Sequence, residues 1–307
     1  MILKQAIDIY ELLDDPKIDG EKVVDFFTKN GVKDISSTRI SGDKGYTDFV
    51  KIKIPGINGK SQGGYAPTLG VVGRLGGIGA RPDVIGMVSD GDGAVAALTA
   101  AYKLGIMSDK GDKLNGDVII STHICPNAPT LEHNPAPFMN SPVNMYTMNE
   151  NEVESKMDAI LSIDTTKGNK IVNHKGVAIS PTVKEGYILK VSYDLLEILE
   201  KTSGEKGVTF PIAMQDITPY GNGISHINSI LQPSTATSSP VVGVAITTES
   251  LVAGCDTGAS HIEDISLAAG FAIEVAKAFG KNNCSFYDED EFKKLNEIYG
   301  SMTKFQK

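Results

Sequence analysis

Near the start of the chain, apolar residues recur at helical spacing: Ala6, Ile9, Tyr10 and Leu13, then Val23, Val24, Phe26 and Phe27. This predicts two short helices within residues 3–30, parted at Asp19-Gly20, where the aspartate can cap the second. TDFVKIKIP then alternates apolar and polar positions, as a strand with one wet face does. From Thr68 the pattern changes. TLGVVGR and DVIGMVSD are almost continuously apolar and read as strands buried on both faces. GDGAVAALTAAYKL is rich in helix formers, NGDVIISTH is another buried strand, and a Pro- and Asn-rich loop occupies 123–148. DAILSID and VVGVAIT are further buried strands, with a strand near 177–183, a helix at 193–202, a strand at 208–213 and a helix at 223–231 between them. HIEDISLAAGFAIEVAKAF closes the pattern as a long amphipathic helix.

Strands alternating with helices predict an α/β fold: a single domain of three layers with a mainly parallel central sheet and helices on both faces. The domain is expected to span 1–287, with the charged stretch 288–307 as a peripheral tail. The chain has 307 residues and 41% hydrophobic side chains, enough for a sizeable core. Its formal net charge of −9 is a poor match to nucleic acid or an anionic membrane. No apolar run approaches the ~20 residues of a membrane span, and the acidic start lacks the marks of a signal peptide, so a cytoplasmic location is expected. Three scattered cysteines, Cys125, Cys255 and Cys284, form no CxxC pair, and five histidines cap any imidazole chemistry.

In an open α/β sheet, ligands bind outside the carboxyl ends of the strands. The polar residues at those ends are Arg74, Asp90 and Asp92, His123, Cys125 and Asn127, and Asp164, with His261 just before the last helix. Carboxylates and imidazoles gathered from several strand ends suit a divalent metal such as zinc or manganese. The plainer alternative for Asp90 is a helix cap, and for His123 and His261 a hydrogen-bonded structural role. GRLGGIGAR fits neither GxGxxG nor a P-loop, so its glycines read as a tight turn more readily than as a phosphate cradle. His123 and Cys125 share a face of their strand, which leaves an activated thiol and a packed core cysteine as alternatives. His226 is placed on a helix lining the cleft, and His133 and His174 on the surface.

SDGDGAVAALTAAYKL followed by LNGDVIISTH, then DAILSID and the histidine before the final helix, resembles the core of the di-zinc aminopeptidases and related exopeptidases. The resemblance covers roughly residues 3–280 in element order and implies that architecture, with Asp90, Asp164 and His261 as metal ligands. A closer resemblance runs to a prokaryotic family catalogued as domain of unknown function 1177, through GARPDVIGMVSDGDGAVAAL, THICPNAP, GVAISPTVKEGYIL, QDITPYGNG and GASH. The peptidase pattern is broken in two places. Arg74 and Gly76 stand where a His-x-Asp is expected, and Pro126 and Asn127 stand for the Glu-Glu pair that includes the base. The resemblance therefore implies a remodelled centre with one divalent metal or none. Asn127 or His123 would be a weaker third ligand, and Arg74 would replace one metal by pairing with Asp90 or Asp164.

The expected function is a divergent peptide or amide hydrolase with His123 or Asp92 as base and Arg74, Asn127, Cys125 and His226 lining the pocket. The alternative is a binding or assembly protein that has kept the fold and lost catalysis. The expected partner is a small polar ligand such as an amino acid, peptide or carboxylate, and a homo-oligomer is expected by analogy with similar peptidases.

Overall fold

Alternation of side chains along the strands gives the central sheet two faces and two cores. The computed structural model describes residues 1–132, 137–226, 228–255 and 258–306. Helices α1 (Ile2–Asp14) and α2 (Gly20–Lys29) come first, and Asp19 caps α2 by accepting from the Lys22 amide. The strands are β1 (Ile35–Gly42), β2 (Gly45–Ile54), β3 (Leu69–Gly73), β4 (Val118–Ile124), β5 (Thr130–Leu131), β6 (Phe138–Met139), β7 (Ala159–Thr166), β8 (Gly176–Ile179), β9 (Val183–Lys184), β10 (Tyr187–Ile188) and β11 (Val241–Thr247). Helices α3 (Asp92–Asp109), α4 (Met145–Glu152), α5 (Tyr193–Ser203), α6 (Ile262–Phe279) and α7 (Glu289–Tyr299) complete the set.

The main sheet runs β1-β2-β4-β3-β7-β11-β9-β10, with β8 also paired to β11; β5 and β6 form a separate ladder. Its centre, β4-β3-β7-β11, is parallel and its margins are antiparallel. Val71, Ile120, Leu161 and Val244 point into the larger core beneath α1, α3, α5 and α6. The neighbours Val72, Ile119, Ile160 and Ala245 point the other way, into a smaller core. That face is covered by the single helix α4 and the irregular segment 208–236, not by a second full layer of helices.

Several expected elements differ. DVIGMVSD forms turns instead of a strand, because tertiary bonds hold it: the Met87 amide donates to the Asp14 carboxylate and the Val88 amide to the Ile78 carbonyl. The 177–183 strand is split into β8 and β9 around Pro181. Segment 208–213 keeps one bridge, Ile179 to Thr209. The 223–231 helix is absent, since Gly221 and Gly223 take positive φ and the Asn228 amide donates to Asp216 instead of to a helical carbonyl. β1 pairs with β2, and α4 begins inside the Pro- and Asn-rich loop and runs past its expected end at 148; neither was anticipated.

The charged tail folds as α7 with no buried residue, seated by Phe292 against Tyr187 and Tyr287. No helix among the described residues is long and apolar enough to cross a membrane.

Candidate functional site

β3 ends with Gly73 opposite both Thr122 of β4 and Ile163 of β7. The next residue on each strand is Arg74, His123 and Asp164, and the Arg74 amide still donates to the Ile163 carbonyl at 2.7 Å. At a strand spacing of ~4.8 Å, these three side chains form one row across the carboxyl end of the sheet, on the face toward α4. The row is almost fully buried, with Arg74 at 1%, His123 at 3% and Asp164 at 0% exposure.

Helix α4 supplies what the row needs. Asn144 caps it by accepting from the Thr147 amide, and Met145, Met148, Asn149 and Glu152 then fall on one side at i, i+3, i+4 and i+7. Glu152 Oε1 lies 2.6 Å from His123 Nδ1, and Oε2 lies 3.3 Å from Arg74 Nε. The second contact is within ion-pair distance but misaligned, so neither Nε nor Oε2 has a directed hydrogen bond. Arg74 Nη2 donates to Asn149 Oδ1, while Nη1 meets, among the described residues, only the thioethers of Met145 at 3.0 Å and Met148 at 3.7 Å. Asn149 is itself held by the Gln232 carbonyl and Thr235 Oγ1.

Arg74 is a buried cation whose described ion-pair partner is Glu152, where the expectation was Asp90 or Asp164. Glu152 was not among the expected site residues because it lies just past the 123–148 loop, in a stretch to which the sequence pattern assigned no element. Its findable signal was the Asn144 cap followed by the Met145, Met148, Asn149, Glu152 stripe.

Asp164 accepts from Ser229 Oγ at 3.0 Å and from the Thr165 amide at 2.7 Å. Burial nonetheless pushes its carboxyl up to about 7, against the pull of Ser229, the Thr165 amide and Arg74. Tyr220, hydrogen-bonded to Ser229, is pushed up chiefly by burial and then by the nearby Asp164. A cavity of about 530 Å³ opens over the row, lined by Arg74, His123, Tyr220 and Ser229 and by the apolar wall Phe138, Met139, Val143, Met145 and Met148. A larger cavity of about 810 Å³ touches Pro67, Asp158 and Pro240, which precede β3, β7 and β11, so it lies at the amino ends of the strands. The carboxyl-end cavity is the one that reaches the strand-end residues Arg74 and His123.

A second polar cluster surrounds Asp92 at the start of α3. The buried Lys167 ammonium lies 3.0 Å from Asp92 Oδ2, and Ser260 Oγ donates to Oδ1. Burial pushes the Asp92 carboxyl up, against Lys167 and Ser260. Asp92 is fully buried and is not among the residues lining the cavity, which disfavours it as a base there. Lys167, like Glu152, was not anticipated.

The remaining expected residues scatter. Asp90 is half-buried beside the Gly254 backbone, and its own amide donates to the Gly254 carbonyl. His261 is exposed at the start of α6, and Asn127 is exposed and does not line the cavity. His226 is on a loop instead of a helix, its ring bonded to the Thr218 and Ile224 carbonyls and packed on Tyr220. Cys125 lines the cavity, but burial pushes its thiol up to about 11, which keeps it protonated at neutral pH and disfavours a nucleophilic role. His133 lies outside the described residues.

The side chains present do not fit the metal centre implied by the peptidase resemblance. Among the described residues, no group of three or more His, Cys, Asp or Glu is placed to hold an ion, and Asp90, Asp164 and His261 are not gathered. The helix-end carboxylates Glu152 and Asp92 each face a resident cation, Arg74 and Lys167.

The glycines after β3 serve close packing. A Cβ on Gly76 would fall 1.6 Å from the His123 carbonyl oxygen. Gly76→Ala is expected to cost about 1–3 kcal/mol, as overpacking does, and thermal unfolding checks it. A variant as stable as the parent would mean that this loop is free to move away from His123.

Residues 38–307 match the family described as "Protein of unknown function (DUF1177)". No curated protein matches by sequence. Among solved structures, the leucine aminopeptidase of Caenorhabditis elegans is similar with a TM-score of 0.51 at 12% identity, over 93% of this chain and 66% of that one. The cytosol aminopeptidase of Coxiella burnetii gives a TM-score of 0.49 at 12% identity, over 87% and 67%. The chain spans about two thirds of the length of these proteins. At that identity, the first likeness shows a shared α/β fold.

Proposed function

The chain belongs to the DUF1177 family, and we propose that it is a divergent hydrolase of small peptide- or amide-type substrates with His123 as general base. One observation carries the reading: His123 Nδ1 is held 2.6 Å from the buried Glu152 carboxylate in the wall of the 530 Å³ cavity. No described residue bonds the other ring nitrogen. A carboxylate on Nδ1 fixes the tautomer that leaves Nε2 as the acceptor and stabilises the imidazolium once it forms. Nε2 takes a proton from water, the resulting hydroxide attacks the substrate carbonyl, and the imidazolium returns the proton to the departing amine. Arg74, 3.3 Å from the other carboxylate oxygen, helps fix Glu152 beside the ring.

The expected result is a loss of ~10²-fold or more in kcat for His123→Gln, with ligand-induced stabilisation retained, in a screen of chromogenic aminoacyl and dipeptide substrates. Turnover that survives His123→Gln sinks the assignment.

A second reading rests on a different observation. Glu152 and Asp92 each already face a resident cation, Arg74 and Lys167, an arrangement suited to a binding protein that has kept the fold without catalysis. It predicts thermal stabilisation by cavity ligands with no turnover in the parent protein.

A further inference from the structure

We propose that Arg74 Nη1 is the anchor for a carboxylate on the ligand, so that the cavity takes small molecules pairing an apolar body with a free carboxylate. The inference rests on the reading that this cavity is the substrate site. A guanidinium offers five N–H donors in a planar fork, and a buried one satisfies them with oxygens. Arg74 is 1% exposed, yet its described oxygen partners are few. Nη2 reaches Asn149 Oδ1, and Nε faces Glu152 Oε2 without a directed bond. Glu152 is moreover shared with His123.

Among the described residues, the hydrogen-bond partners of Nη1, in the cavity wall, are Met145 Sδ and Met148 Sδ alone. A thioether is a weak acceptor. A methionine side chain has three rotatable bonds and yields its place easily. An entering carboxylate that swings Met145 aside replaces a weak N–H···S contact with a charge-assisted N–H···O⁻ bond in a dry site. Phe138, Met139 and Val143 supply the apolar surface for the rest of the molecule. The carbonyl to be attacked would then lie beside His123, the neighbour of Arg74 in the row.

Two probes that differ in one group test this: N-acetyl-leucine, a carboxylate, and N-acetyl-leucinamide, its neutral counterpart. At millimolar concentration the carboxylate is expected to raise the Tm of the full chain by about 2–4 °C and the amide by much less. Met145→Glu places an internal carboxylate against Nη1, and is expected to abolish that response with Tm at or above the parent's. Met145→Leu keeps the shape without the sulfur and is expected to enlarge the response; it also serves if Met145→Glu fails to fold.

Equal shifts from both probes, no shift from the carboxylate, a full response in Met145→Glu, or a response unchanged or weakened in Met145→Leu overturns the anchor. The two readings fail separately. Turnover lost in His123→Gln without discrimination between the probes leaves the hydrolase standing and removes the anchor. Discrimination without any turnover does the reverse.

Discussion

Arg74→Ala is expected to lower the stability of the folded chain by about 3–5 kcal/mol, the usual cost of stranding one member of a buried ion pair. Glu152 is fully buried, and the variant leaves it with the imidazole of His123 as its one remaining described partner. The truncation also opens a void beside Met145 and Met148 and orphans the Asn149 side-chain oxygen. The diagnostic comparison is the pair Arg74→Met with Glu152→Gln. Removing both charges while keeping volume is often neutral or stabilising, so the double variant is expected to recover most of what Arg74→Met alone loses. Denaturant unfolding of the four proteins measures the coupling directly. A single Arg74→Ala variant with parental stability would mean that the Arg74–Glu152 contact adds nothing to the stability of the fold.

Asp164→Asn is expected to stabilise the protein at pH 8 and to flatten its pH dependence. Burial holds the folded-state carboxyl at about 7, against an ordinary value of 3.8. Below about pH 4 both folded and unfolded chains carry the proton, and the contribution to stability is fully present. As pH rises from there, the unfolded chain gives up its proton while the folded chain keeps it. Stability therefore falls until the folded-state group ionises near 7. At ~1.4 kcal/mol per unit, the loss across this window is on the order of 4 kcal/mol.

Asp92 and Asp264 are also pushed up by burial and contribute with the same sign, so the parent protein is expected to melt progressively lower from pH 5 to 8. An asparagine keeps an acceptor for the Ser229 hydroxyl or the Thr165 amide and never ionises. The check is a series of thermal melts between pH 5 and 8. An asparagine variant that melts below the parent at pH 8, or keeps its slope, contradicts the expectation.

Much of the framework was legible in local pattern. β3, β4, β7 and β11 are runs of apolar residues in which both alternating sets meet a core, and such runs have few other uses. The helices α3 and α6 announce themselves by length and composition. DVIGMVSD carries the same apolar signature as a buried strand, but its hydrogen bonds go to Asp14 and Ile78, partners that no local window contains. The 223–231 segment failed as a helix for a similar reason, with Asn228, Ser229 and His226 bonded across to Asp216, Asp164 and Thr218.

The candidate site divides in the same way. By itself the sequence determined which side chains stand at the carboxyl ends of the strands, since strand ends and side-chain parity can be read from a chain of apolar runs. Arg74, His123 and Asp164 were placed that way, as was the prospect of an arginine in a metal's place. Only the tertiary structure decided what each of them meets. Parallel register laid the three in one row, and the α4 stripe brought Glu152 between Arg74 and His123. Lys167 closed on Asp92, while Asp90 and His261 stayed apart from the row. A buried charge takes its protonation state and its use from its neighbours, and those neighbours are set by register and packing between segments distant in the chain.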